Sequence, residues 1–393
     1  MLSAQCELDE LLKESPVSAA KRERSAFDRL AWPFAERLVL FGAGALGRKT
    51  AAGLRLSGIE PLAFADNNPA CWGKTIDGLE VCSPEEAASR FSARAAFVVT
   101  IWHAGGGHRF SHTRDQLLHL GCEPVIPFAA LFWKYAEVFL PYYAIGLPHL
   151  MLKQAEQIRE AFELWNDDAS RREYLAQVRW RLRLDFDVLP PPVGHAQYFP
   201  DDLWEAGPQE VFVDCGAYDG DTLRILFARQ ESFRGQVVAI EPDAENARKL
   251  HEYVASLPEP LRGRVAVLPV AVGASAGRTR FCGTGTAAAR VHPEGTAEVQ
   301  CAPLDELLHG ILPSFIKMDI EGAELDALAG ARHLLHQARP VLAVCVYHQP
   351  DHLWRIPLFI RGVVEDYCYF LRPHNEEGWD LVCYAIPRQR LRR

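Results

Sequence analysis

The run Val211-Phe-Val-Asp-Cys-Gly-Ala-Tyr-Asp-Gly-Asp221 constrains this chain more than any other stretch. Val211, Phe212 and Val213 are apolar without alternation, the pattern of a strand covered on both faces of a parallel sheet. The run then breaks into a glycine-rich turn, and a helix is expected from about Thr222. That order belongs to α/β folds, which bind ligands at the carboxyl ends of their strands. Gly216 and Gly220 remove side chains where a ligand needs the backbone close. Asp214, Asp219 and Asp221 supply acids around the turn, and no base accompanies them. A phosphate cradle would carry Lys or Arg, so a cation or a hydroxyl-rich ligand is the better match.

Two further apolar runs end in the same way. Val237-Val-Ala-Ile-Glu-Pro-Asp243 closes on Glu241, 27 positions after Asp214. An acid there fits hydrogen bonds to both ribose hydroxyls of an adenosine. Asp243 then reads as an N-cap, with Ala247, Leu250, Val254 and Leu257 following at helical spacing. Ser314-Phe-Ile-Lys-Met-Asp-Ile-Glu-Gly-Ala-Glu324 is another apolar strand that closes on acids.

Five segments of this half carry a family resemblance. Asp214-Cys-Gly-Ala-Tyr-Asp-Gly-Asp221, Glu241-Pro242, Ala271-Val-Gly273, Leu304-Asp305 and Ile316-Lys-Met-Asp-Ile-Glu-Gly322 resemble the FkbM family of S-adenosylmethionine-dependent methyltransferases. The resemblance runs over residues 197–387, and the last motif is its most specific part. It implies a class I methyltransferase fold, a mostly parallel sheet with an antiparallel edge. It also implies cofactor contacts at Asp214, Gly216, Ala217, Asp219, Asp221, Glu241, Pro242, Ala271 and Asp319.

The cofactor would bring its own electrophile, a methyl on a sulfonium, so the protein must hold it and aim an acceptor. Asp214 and Gly216 fit the methionine end; Asp219 and Asp221 suit the amino group or ordered water, or else the start of the helix. Ala271 and Val272 are expected beside the adenine, and the Gly283–Gly295 loop is a lid candidate. Asp305 reads as a helix cap rather than a ligand contact. Asp319 is expected near the methyl, Lys317 on the other face in a structural role, and Glu324 and Asp326 at a helix start. The strand Val341-Leu-Ala-Val-Cys-Val-Tyr347 delivers His348 to the same edge, where an imidazole with pKa near 7 would be a general base for an alcohol. The catalytic candidates are therefore Asp319 and His348. Asp319 and Glu321, spaced by one residue, also suit a divalent metal, but with no further ligand identifiable no metal is assigned. Arg372 and His374, in an expected terminal hairpin, read as facing solvent.

The amino-terminal half has a fingerprint of its own. Arg37-Leu-Val-Leu-Phe-Gly-Ala-Gly-Ala-Leu-Gly47 is a strand followed by G-x-G-x-x-G at Gly42, Gly44 and Gly47, with a helix to about Ser57. A second strand ends at Asp66, 24 residues past Gly42. Together with Gly73–Pro84 this resembles the small nucleotide-binding Rossmann domains that precede some bacterial sugar-modifying enzymes. Three readings stay open: a scaffold for dimerisation or substrate docking, a nucleotide or nucleotide-sugar site at Gly42, Gly44, Gly47 and Asp66, and a working NAD site.

A chain of 393 residues is long for one domain. The expected division is a helical segment over 1–35, a Rossmann-like domain over 36–130, a helical, aromatic-rich connector over 131–200 and the methyltransferase domain over 201–393, both sheet domains being α/β. A net charge of −9 argues against nucleic acid as a ligand. Ten cysteines with no C-x-x-C pair argue against a zinc site or a disulfide frame. The start Met1-Leu-Ser-Ala-Gln-Cys-Glu-Leu-Asp-Glu10 lacks the features of a signal peptide, no apolar run spans a membrane, and the basic end Arg388–Arg393 reads as solvated. A cytoplasmic enzyme is expected. It would transfer methyl from S-adenosylmethionine to a hydroxyl on a sugar, glycan or related small molecule, with a homo-oligomer as a further partner. The alternatives are an NAD-dependent oxidoreductase and a nucleotide-sugar-binding scaffold.

Overall fold

A computed structural model describes residues 4–392, so the first three residues and Arg393 of the basic end lie outside it. The chain divides into two compact units. One comprises the chain up to Glu156 with Glu173–Pro192 and Asn375–Trp379; the other comprises Gln157–Arg172, Val193–His374 and the chain from Asp380 onward. The expected connector over 131–200 is thus no separate element. Its Asp167 and Ser170 bond to Arg372 in the second unit, while its Trp180 packs on Trp102 and Phe186 in the first.

In the first unit, the strands are β1 (Leu38–Phe41), β2 (Ala63–Ala65), β3 (Thr75–Ile76), β4 (Leu79–Cys82), β5 (Ala96–Val99) and β6 (Val125–Pro127), in the spatial order β3-β4-β2-β1-β5-β6. All pairs are parallel except β3 with β4. Strand order reverses beside β1, which places the glycine turn at a topological switch point. The helix Ala45–Leu56 follows directly. A Cβ on Gly47 would lie 1.9 Å from Gly42 O, so the third glycine is required for the helix to pack on the turn. Two helices precede the sheet, Ala4–Leu11 and Pro16–Ala31. The second is capped by Ser15, whose Oγ accepts from Ser18 N, a bond worth about 1 kcal/mol. The aromatics after Phe128 pack on one another: Phe132 stacks on Phe139 at 4.2 Å and stands edge-on to Phe128 and Tyr142.

The second unit has two sheets. Its strands are β7 (Val211–Cys215), β8 (Gln236–Ile240), β9 (Val265–Leu268), β10 (Ala271–Val272), β11 (Gly277–Cys282), β12 (Arg290–Val291), β13 (Ala297–Ala302), β14 (Phe315–Met318), β15 (Val341–Cys345), β16 (Tyr367–Pro373) and β17 (Leu381–Pro387). The large sheet runs β16-β17-β15-β14-β7-β8-β9. Its five strands from β15 to β9 are parallel, and β17 and β16 close one side antiparallel. β7 and β14 lie together at the reversal of strand order, so their carboxyl ends open the crevice where open α/β sheets bind ligands. The unbroken apolar runs of the sequence become strands buried on both faces: Phe212 and Phe315, paired in register, stack at 4.6 Å. The small sheet, β10-β13-β11-β12, takes Ala271 and Val272 out of the large one.

The expected hairpin is present as β16 and β17, but its polar residues do not face solvent. Arg372 is 4% exposed and bonds to Asp167 and Asp202, at 2.6 and 2.8 Å. His374 meets the Tyr384 hydroxyl at 2.8 Å, and burial lowers its pKa to about 4. Sequence pattern missed Arg372 because its partners lie far away along the chain, and His374 because its burial against Tyr384, only 10 residues on, is decided by packing. Among the described residues, no helix is long and apolar enough to cross a membrane.

Candidate active site

The exits of β7 and β14 meet at Gly216. Its φ is +80°, and a Cβ there would stand 1.9 Å from Asp319 O, so glycine is what lets the two strand ends converge. Gly216 N and Ala217 N both donate to Ile240 O at the end of β8, and Ala217 is fully buried. Three strand ends are thereby tied into one cluster.

Glu241 follows β8 and is 5% exposed. Its carboxylate takes Tyr218 N, from the glycine turn, and Asp243 N, both at 2.9 Å. Burial pushes its pKa up to about 7, against the pull of those two backbone bonds. Asp243 has two tasks. One oxygen caps the helix Ala244–Ser256; the other accepts from Thr284 N and Gly285 N. Lys249 Nζ donates to Gly285 O as well. The loop expected as a lid is therefore pinned at its near end to the helix that follows Glu241.

Asp214 lies deeper than the sequence indicates. It is fully buried and pairs with Lys317 across the β7–β14 register at 3.0 Å. Lys317 is thus not turned away to the other face; its ammonium also donates to Gly216 O at 2.5 Å. Burial pushes Asp214 up to about 6 despite the lysine. Burial alone would lower Lys317, but Asp214, Asp319 and Asp221 more than offset it and hold the ammonium above its usual range. Of the remaining turn acids, Asp221 accepts from Thr222 N at the helix start, and Asp219 is held by Arg224 at 2.8 Å. Pro242 is partly exposed beside Glu241. Ala271, 3% exposed, sits in the small sheet. Asp305 does cap a helix, but a distant one: it accepts from His333 N and Leu334 N of Arg332–Ala338.

The densest set of functional groups is at the ends of β14 and β15. His348 Nε2 lies 3.3 Å from Asp319 Oδ1 and 3.5 Å from Glu321 Oε1, and its Nδ1 is 2.7 Å from Glu324 Oε1. Glu324 starts a helix as expected, yet it is fully buried. The same oxygen accepts from Ile320 N, so Glu324 braces the turn bearing Asp319 and Glu321. His352 Nδ1 stands 3.2 Å from its other oxygen. Burial alone would lower His348, but Glu324 and Glu321 outweigh it and hold the imidazolium well above its usual range. The expected pKa near 7 is not met because the ring sits among carboxylates.

Tyr198, which sequence reading passed over, completes the set. Its hydroxyl donates to Asp319 Oδ2 at 2.7 Å, and its backbone is left-handed, with φ +67°. Neighbouring Gln197 donates to the same hydroxyl. A non-glycine residue with positive φ beside an acid motif is a structural signal that no local pattern carries.

In the first unit, Asp66 repeats the arrangement of Glu241. Its carboxylate accepts from Ala43 N in the glycine turn at 2.7 Å and from Asn68 N at 2.8 Å. A Cβ on Gly44 would meet nothing within 4 Å, leaving the backbone of the turn open.

A seven-stranded sheet in the order described, with its acids gathered at the switch point, defines a Rossmann-like methyltransferase fold. Residues 214–371 match the methyltransferase FkbM domain family, and an FkbM methyltransferase domain occupies that stretch. The fold matches the crystal structure of methyltransferase FkbM from Methylobacillus flagellatus KT with a TM-score of 0.77 at 23% identity, covering 98% of each chain. Two weaker likenesses bear no weight. Aeropyrum pernix fibrillarin with bound S-adenosyl-L-methionine has a TM-score of 0.28 at 10% identity, over 46% of this chain and 69% of that one. UDP-D-quinovosamine 4-dehydrogenase from Vibrio fischeri has 0.21 at 18%, over 23% and 76%. No curated protein matches the chain.

Proposed function

We propose that the second unit transfers a methyl group from S-adenosylmethionine to a hydroxyl of a sugar, glycan or related small molecule. The observation that supports it best is the pairing of Asp319 with His348 at the ends of β14 and β15, beside the crevice that β7 and β14 open. The cofactor, when bound, supplies a methyl group on a positively charged sulfur. The residues present suit it. Each Glu241 oxygen takes one backbone N–H and keeps a lone pair for a ribose hydroxyl. Asp319 and Glu321 offer negative charge to a cationic ligand.

In this reading Asp319 is the group that meets the acceptor. Its side chain is 24% exposed, whereas that of His348 is 1% exposed. Asp319 takes the hydroxyl proton as the oxygen attacks, and His348 positions the carboxylate from behind. Tyr198 holds the other carboxylate oxygen, which fixes the direction in which Oδ1 points. Asp214 and Lys317 sit beneath, shaping the turn without touching ligand.

The test is transfer of a labelled methyl group from S-adenosylmethionine to panels of nucleotide sugars and polysaccharide fractions. Transfer to a hydroxylated acceptor, lost in Asp319→Asn, is the expected result. Calorimetry showing NAD bound but no response to S-adenosylmethionine would overturn it.

A further inference from the structure

Asp319, Glu321 and His348 each present a ligand atom to one small volume, all three atoms within 4.8 Å of one another. They come from two strand exits. Asp319 and Glu321 leave β14 one residue apart, and His348 leaves β15, its parallel neighbour. Spacing in the sequence supplies only the first two; strand pairing brings the third. Donor atoms bound to one small divalent ion at about 2.1 Å stand about 3 Å apart. The distances of 3.3 and 3.5 Å from Nε2 to the two carboxylates need little adjustment to meet that.

The surroundings have the character of an outer shell. The His348 ring is oriented from behind by Glu324, which aims Nε2 at the two acids, as outer carboxylates do for metal-bound imidazoles. The turn is held by Glu324 through Ile320 N, and Glu321 adopts a left-handed backbone, with φ +56°. A separate feature points to a ligand: Glu321 Oε2 is shielded from solvent and accepts no hydrogen bond, although the side chain is only 13% exposed. The charge balance points the same way. Asp319, Glu321 and Glu324 supply three carboxylates against two imidazoles, His348 and His352, and the nearby lysine, Lys317, is paired with Asp214.

We infer that Asp319, Glu321 and His348 form a binding site for one divalent transition-metal ion. Two carboxylate oxygens and one imidazole nitrogen, whose Nε2 proton the ion displaces to solvent on binding, are a mixed set suited to Mn²⁺ and similar ions. Three protein ligands leave positions open for water or an acceptor oxygen, and a hydroxyl bound there loses its proton more readily. That role rests on the methyl-transfer reading; the binding itself does not.

The test uses the full chain, freed of metal with a chelator and titrated with MnCl₂. Free Mn²⁺ is followed by electron paramagnetic resonance, and circular dichroism checks the fold of each variant. The expected result is one Mn²⁺ per chain, with affinity falling at least tenfold in Glu321→Gln and in His348→Asn. Glu324→Gln, which alters only the outer shell, should weaken binding by about 10- to 100-fold. No saturable binding, or binding unchanged in folded Glu321→Gln, overturns the inference. Calorimetry with S-adenosylmethionine on the same preparations separates the two ideas. Cofactor binding without Mn²⁺ binding removes the metal site alone, and Mn²⁺ binding without cofactor binding removes the methyl-transfer reading alone.

Discussion

The Tyr198 hydroxyl donates to Asp319 Oδ2 at 2.7 Å, joining residues 121 positions apart. A hydrogen bond to a charged group is worth about 1.5–3 kcal/mol. Tyr198→Phe should therefore lower the rate of methyl transfer by about 10- to 100-fold while leaving the cofactor dissociation constant nearly unchanged. Steady-state kinetics beside calorimetry measures the split. Equal losses in both would mean that Tyr198 shapes the cofactor pocket instead.

Glu241 sets a pH dependence. Burial raises its pKa from 4.5 to about 7 in the folded chain. A raised pKa means that the folded state holds a proton the unfolded state has released. The contribution to stability is full below pH 4.5 and is lost as pH rises through about 7. Ribose hydroxyls donate best to the ionised form, so affinity for S-adenosylmethionine should rise across the same upper range and level off above it. Glu241→Gln should bind about 10- to 100-fold more weakly at pH 8, with a flat profile. Calorimetric titrations from pH 6 to about 8.5 would show the slope or its absence.

Lys317 and Asp214 form a buried pair in register between β14 and β7. Removing one partner strands the other, a loss of about 3–5 kcal/mol. Lys317→Met should lower the denaturant midpoint strongly. The double variant Asp214→Asn with Lys317→Met should recover part of that loss, since no uncompensated charge remains. If the two losses simply add, the pair is not coupled as described.

Gly216→Ala should abolish cofactor binding and lower the melting temperature, because the added Cβ would collide with Asp319 O. Gly310→Ala is the matched control. Gly310 has the same φ of +80°, but a Cβ there meets nothing within 4 Å. It should show the backbone strain alone, about 1–2 kcal/mol. Differential scanning calorimetry of both compares clash with strain.

Much of the architecture was legible beforehand. The apolar runs before Asp214, Glu241 and Asp319 became β7, β8 and β14, and the glycine turn after Val211–Cys215 opened a helix at Asp221. These depend on local pattern: period, caps and glycine. His348 could be placed at the sheet edge because it follows a buried strand. Its protonation could not, since that depends on Glu321 and Glu324. Arg372 was read as solvated for a like reason; its anions, Asp167 and Asp202, lie 205 and 170 positions away.

By itself, then, the chain determined which segments form strands, where each ends in an acid, and where the backbone needs glycine. Those properties are written within a few residues of one another. Tertiary structure alone decided that Lys317 neutralises Asp214, that Tyr198 grips Asp319, and that Glu324 stands behind His348. The physical reason is that strand order and register choose which distant side chains share a volume, and burial then makes their mutual charges count.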